Sequence, residues 1–138
     1  MDRLIEFSNA NIWLTLAIVA MTLAVIFNEL RMKTQTLGSI SPSQAVKLIN
    51  DGALIIDIRE EQAFLSGHLM EAKNLGPKEI ANSKKLNSRK GLLLVCDNGT
   101  KSSRALLELR KAGIENAYSI KGGINAWLEE NLPIERNI

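Results

Sequence analysis

The sequence predicts an open α/β domain with a mainly parallel sheet flanked by helices, preceded by one transmembrane helix. Two patterns carry this expectation. Short runs of branched apolar residues, Ala53 to Ile58 and Gly91 to Val95, alternate with stretches of helical periodicity. Ahead of them, Phe7 to Asn28 contains no charged residue.

Within that uncharged stretch, Ile12 to Phe27 is nearly all apolar. A helix of about 20 residues spans the roughly 30 Å hydrocarbon layer, so a membrane-crossing helix is expected. Trp13 suits an interfacial position, and Thr15 and Thr22 can satisfy their hydroxyls on their own helix. A cleaved signal peptide is the rival, but Asp2, Arg3 and Glu6 make a poor basic leader and the apolar run is long for one. Arg31 and Lys33 follow the helix while only Arg3 and the amino terminus precede it, which by the positive-inside rule leaves the bulk of the chain in the cytoplasm. The expected location is the cell inner membrane, single-pass, with residues 1–31 as anchor, 32–38 as a polar linker and 39–138 as the domain.

The domain elements follow in order. Ser41-Pro42-Ser43-Gln44 reads as a helix start, with Ser41 as N-cap, Pro42 at the first helical position and Gln44 closing a capping box. Ala45, Val46 and Ile49 form its buried stripe, and Asp51-Gly52 ends it. Ala53 to Ile58 is a strand buried on both faces. Ala72 to Leu75 is a very short strand, Pro77 to Asn82 a helical turn, and Gly91 to Val95 the next strong strand. Ser102 to Ala112 carries Ala105, Leu106 and Leu109 on one helical face, with Gly113 as C-cap. Ala117 to Ile120 is a last strand, and Gly122-Gly123 leads into a helix through Trp127 that stops before Pro133.

The net charge is +2 over 138 residues, too weak a balance for a nucleic-acid face. The cluster Lys84, Lys85, Arg89 and Lys90 is read as a solvated loop in preference to a lipid-headgroup contact.

The chain has one cysteine, Cys96, at the end of a buried strand and before the polar stretch Asp97-Asn98-Gly99-Thr100-Lys101-Ser102-Ser103. In open parallel sheets the ligand crevice lies at the carboxyl ends of the strands. Backbone N–H groups converge on a thiol in such a loop, favouring the thiolate and receiving anions. Asn98 and Gly99 tolerate the positive φ that a sharp turn requires. Lys101 can hold an anionic substrate, and Ser102 and Ser103 either bind the same anion or cap the following helix. Asp97 works against a second negative charge beside it and is expected to point away from the loop's bowl. A lone cysteine excludes dithiol exchange within one chain. His68, the sole histidine, is read as a structural hydrogen-bonding residue in preference to half of a Cys-His pair, and one Cys with one His gives little basis for a metal site.

Taken together, three motifs resemble the rhodanese family of sulfurtransferases over about Ile40 to Ile134. Cys96-Asp97-Asn98-Gly99-Thr100-Lys101-Ser102 is similar to its active-site loop. Asp57-Ile58-Arg59, Phe64, Gly67-His68 and Ala72-Lys73-Asn74-Leu75 resemble its upstream signature, and Lys121 to Trp127 with Leu132-Pro133 its closing one. The resemblance implies a rhodanese-like fold in which Cys96 accepts sulfane sulfur from thiosulfate or a similar donor, carries it as a persulfide and passes it to a thiophilic acceptor. It implies substrate binding by Asn98, Gly99, Thr100, Lys101 and Ser102, a structural role for Asp57, Arg59 and His68, and no metal or organic cofactor. The partners it implies are a small-molecule or protein sulfur donor and acceptor; the apolar helix adds the membrane, and the weak net charge leaves no nucleic acid among them.

Three departures stand out. Lys101 occupies a position where many family members carry arginine, so a point charge replaces a planar bidentate grip. Asp97 stands where the family is often basic or neutral, and Met70-Glu71 replaces a common Pro-Gly. The related dual-specificity phosphatases clamp phosphate with an arginine six positions after cysteine; that position here is Ser102, with Arg104 two further on, which argues against phosphatase activity. The alternative to catalysis is a catalytically weak module that docks a membrane or cytoplasmic partner protein.

Overall fold

The computed structural model describes residues 1–82, 86 and 90–136, and divides into two compact units, Met1–Thr34 and Gln35–Ile138. Lys84, Lys85 and Arg89 of the basic cluster lie outside the described residues.

In the first unit, α1 (Asp2–Ala10) is separated from α2 (Ile12–Thr36) by Asn11, whose φ of −129° and ψ of 52° break the helix. The span Ile12–Arg31 is long and apolar enough to cross a membrane. Its hydroxyls are satisfied on nearby backbone: Thr15 donates to the carbonyl of Asn11, just before the helix, at 3.2 Å and Thr22 to that of Ile18 at 2.8 Å. Helix α2 continues to Thr36, so most of the polar stretch 32–38 is helical.

The second unit holds a five-stranded, wholly parallel sheet in the order β1-β5-β4-β2-β3. Its strands are β1 (Ser39–Ile40), β2 (Leu54–Asp57), β3 (Lys73–Asn74), β4 (Leu92–Val95) and β5 (Ala117–Ile120). The helices are α3 (Pro42–Asn50), α4 (Glu61–Ser66), α5 (Pro77–Asn82), α6 (Thr100–Lys111) and α7 (Gly123–Glu129). The capping box of α3 is complete: Ser41 Oγ accepts from the Gln44 N–H at 3.3 Å while Gln44 Oε1 accepts from the Ser41 N–H at 3.0 Å. Strand β1 and helix α4 are additions to the sequence-based reading. β1 is two residues long and exists through pairing with β5, and α4 has neither a side-chain cap nor a buried residue.

The two faces of the sheet follow the period of the strands. Leu92, Leu94 and Cys96 join Ile56, Ile80, Leu106 and Leu109 on the side covered by α5 and α6. Leu93 and Val95 join Ala45, Ile55, Ile120, Ile124 and Trp127 on the side covered by α3 and α7. All four residues of β4 are fully buried, as two covered faces require. Cys96 therefore continues the alternation of the central strand as the chain leaves the sheet at its carboxyl edge.

Candidate active site

Cys96 is buried, and its sulfur is held from two sides of the loop that follows it. The Gly99 N–H donates to Sγ at 3.0 Å and the Ser102 N–H at 3.4 Å, with Ser102 Oγ at 3.2 Å. The Ser102 hydroxyl also donates to the Gly99 carbonyl at 3.1 Å. A hydroxyl has one proton and two acceptors here, so it can donate to the carbonyl when sulfur is a thiol and turn to sulfur when it is a thiolate. The loop achieves this curvature because Gly99 adopts φ +88° as the N-cap of α6. A side chain there would meet Gly122 N and Ile120 O at 3.0 Å.

A second device fixes the loop from outside. At the start of α7 the N–H groups of Ile124 and Asn125 donate to the carbonyls of Cys96 (2.8 Å) and Asp97 (3.1 Å). With those carbonyls engaged by α7, the amides further along the loop can face the sulfur. Such an approach needs a residue without a side chain at the contact. Gly123, at φ +61°, lies so close that a Cβ would overlap the Cys96 carbonyl oxygen and the Asp97 carbonyl group. The Gly-Gly pair was legible in the sequence as a helix start; its role in seating the cysteine loop was not, because it depends on a contact between distant segments.

A cavity of about 350 Å³ opens onto this loop, lined by Cys96, Asp97, Asn98, Thr100, Lys101 and Arg104. Of the residues the sequence assigned to substrate binding, Asn98, Thr100 and Lys101 line it, whereas Gly99 and Ser102 lie behind, buried against the sulfur. Asn98 Oδ1 accepts from the Thr100 N–H at 3.1 Å, which rigidifies the turn. Neither serine caps α6: Ser102 turns to sulfur and the Gly99 carbonyl, and Ser103 Oγ lies 3.4 Å from Ser119 Oγ on β5. Arg104, set aside in the sequence as lying past the loop, lines the cavity. The helix begins at Thr100 instead of Ser102, and a spacing of three places Lys101 and Arg104 on neighbouring positions of one helical face.

Asp97 is also among the residues lining the cavity. Its carboxylate lies 3.8 Å from Arg59 Nη1. Arg59 is itself buried and committed elsewhere. Its Nε lies 3.0 Å from both oxygens of Asp57, and its Nη2 donates to Asp57 Oδ2 and the Gly67 carbonyl, each at 2.6 Å. Asp57 pairs in register with Val95 and Asn74, so Arg59, two residues on, comes beside Asp97. The Asn74 amide ties the same corner by donating to the carbonyls of Asp57 and Arg59.

His68 is buried and is not among the residues that line this cavity. Its ring stacks on Phe64 with centroids 3.9 Å apart, its Nδ1 is 2.9 Å from the Phe64 carbonyl, and its backbone bridges to Glu135 in both directions. These contacts fasten the carboxyl-terminal segment to the loop after α4.

The parallel sheet, its order and the strand-loop-helix around a buried cysteine define a class, and residues 41–130 match the rhodanese-like domain. The chain belongs to that family. It is 29% identical to the uncharacterized protein YibN of Escherichia coli strain K12, over 99% of both chains. The thiosulfate sulfurtransferase GlpE of Pseudomonas entomophila is 37% identical over 89 residues, covering 64% of this chain and 82% of its own. Among solved structures, a rhodanese-related protein from Thermoplasma volcanium superposes with a TM-score of 0.62 at 24% identity, over 70% of this chain and 96% of its own, which speaks to the fold.

Proposed function

We propose that the chain is a membrane-anchored sulfurtransferase in which Cys96 carries sulfane sulfur as a persulfide from thiosulfate or a similar donor to a thiophilic acceptor. The observation that carries this reading is the position of Cys96 Sγ, within reach of two backbone N–H groups and beside a cavity that holds two cations. The likeness to thiosulfate sulfurtransferases supports it. In the first step the Cys96 thiolate attacks the outer sulfur of thiosulfate. The donor S–S bond breaks, its electron pair leaves with sulfite, and Cys96 retains the outer sulfur. In the second step an acceptor thiolate attacks that sulfur, and the electron pair of the breaking bond returns to Sγ. The Gly99 and Ser102 N–H groups stabilise charge on sulfur at both stages, while Lys101 and Arg104 draw the anionic donor in. The reading involves no metal or organic cofactor.

The span Ile12–Arg31 is assigned as the anchor, supported by its length and apolar composition. The charge asymmetry around it supports a domain facing the cytoplasm from the inner membrane. Intact-mass measurement after incubation with thiosulfate is expected to show a gain of one sulfur atom, absent in Cys96→Ser. No gain with any sulfane donor overturns the proposal.

A second reading, a docking module, draws on an apolar cavity of about 230 Å³ lined by Val46, Ile49, Leu69, Met70, Trp127 and Leu132 among others. It predicts that Cys96→Ser cells behave like wild type while cells lacking residues 39–138 do not.

A further inference from the structure

The cavity beside Cys96 holds charges of both signs: Lys101 and Arg104 on α6, and Asp97 directly after the nucleophile. A site for a simple dianion has no use for the carboxylate, which repels it. Within the protein Asp97 is paired only at long range. Its side chain is 59% exposed, and Arg59, its ion-pair partner among the described residues, stands at 3.8 Å while spending its shorter contacts on Asp57 and Gly67. A carboxylate this exposed and this loosely paired, on a residue that lines the cavity, keeps lone pairs free for a ligand.

We propose, building on the sulfur-transfer reading, that Asp97 makes the site selective for a zwitterionic sulfane donor, an amino-acid hydropersulfide whose carboxylate meets Lys101 and Arg104 and whose ammonium meets Asp97. The chemistry balances without a further reactant. The Cys96 thiolate attacks the outer sulfur of R–S–SH, the donor S–S bond breaks, and its electron pair leaves on R–S⁻. The outer sulfur, with its proton, becomes Cys96–S–SH. Asp97 takes no part in bond making; it determines which donor is held.

The test compares second-order rates of sulfur uptake by the full-length chain in detergent, read by intact mass, with cysteine hydropersulfide, N-acetylcysteine hydropersulfide and thiosulfate. Acetylation removes the ammonium and leaves the carboxylate. Intrinsic differences between the donors cancel when the cysteine to N-acetylcysteine rate ratio is compared between wild type and Asp97→Asn. The ratio is expected to fall about three- to fivefold in Asp97→Asn, the range of a partly exposed ion pair, while the thiosulfate rate rises. An unchanged ratio with sulfur uptake intact overturns the role of Asp97 and leaves the sulfurtransferase reading standing. Failure of wild type to take sulfur from any of the three donors overturns both.

Discussion

Replacing Gly123 with alanine drives a methyl group into the carbonyls of Cys96 and Asp97, and the cost divides into two parts. An alanine at φ +61° carries the left-handed penalty of about 1–2 kcal/mol. Because the obstructing atoms are backbone, the start of α7 must also withdraw from the loop, weakening the bonds from Ile124 N–H and Asn125 N–H. At about 0.5–1.5 kcal/mol each, these bring the total to roughly 2–5 kcal/mol. Gly113 provides the control. It sits at φ +90° with nothing within 4 Å of an added Cβ, so Gly113→Ala costs the conformational part alone. Both variants can be measured in the full-length chain by urea denaturation, followed by fluorescence of buried Trp127 in a Trp13→Phe background. With slopes of about 1–3 kcal/mol per molar urea, the Gly123→Ala midpoint is expected about 1 M below that of Gly113→Ala. Sulfur uptake should fall in Gly123→Ala, whose loop no longer aims its amides at sulfur, and persist in Gly113→Ala. Equal midpoints and equal uptake rates refute the argument that α7 seats the cysteine loop.

Four further outcomes are expected. Arg59→Leu strands the buried Asp57 carboxylate and should cost about 3–5 kcal/mol in urea unfolding, with part of the loss recovered when Asp57→Asn is added; no recovery would mean that the stranded charge is not the cause. Arg104→Gln should raise KM for thiosulfate several-fold with kcat little changed, and the difference should shrink as salt is added; equal KM values at low salt would remove Arg104 from the site. His68→Gln should lower the unfolding midpoint and leave the sulfur-uptake rate of the folded protein intact, whereas loss of uptake in a folded variant would restore a Cys-His pair. A reporter fused after Ile138 should be active only as a cytoplasmic reporter, and periplasmic activity would reverse the proposed orientation.

Local physics made much of this protein legible before folding. Apolar runs too short for helices and enriched in branched residues marked β2 and β4, the capping box marked the start of α3, and Thr15 and Thr22 each bond to the carbonyl four residues before them, as helical spacing allows. The length and apolar character of Ile12–Arg31 suffice for a membrane span. The Cys96 loop was recognisable because glycine tolerance and strand-to-helix placement are written in adjacent residues. What needed the tertiary structure are relations between segments whose spacing in sequence carries no signal. Strand β1 exists because β5 offers it a free edge, and Arg59 reaches Asp97 because β2 and β4 pair in one register. The amides of α7 hold the carbonyls of the cysteine loop from nearly thirty residues away. Arg104 entered the cavity once the helix was seen to begin two residues early. Periodicity and capping reside in one segment, whereas register and close backbone approach come into being only when two segments pack. The sequence therefore singled out Cys96 and its loop as the candidate site, and the fold decided what surrounds them.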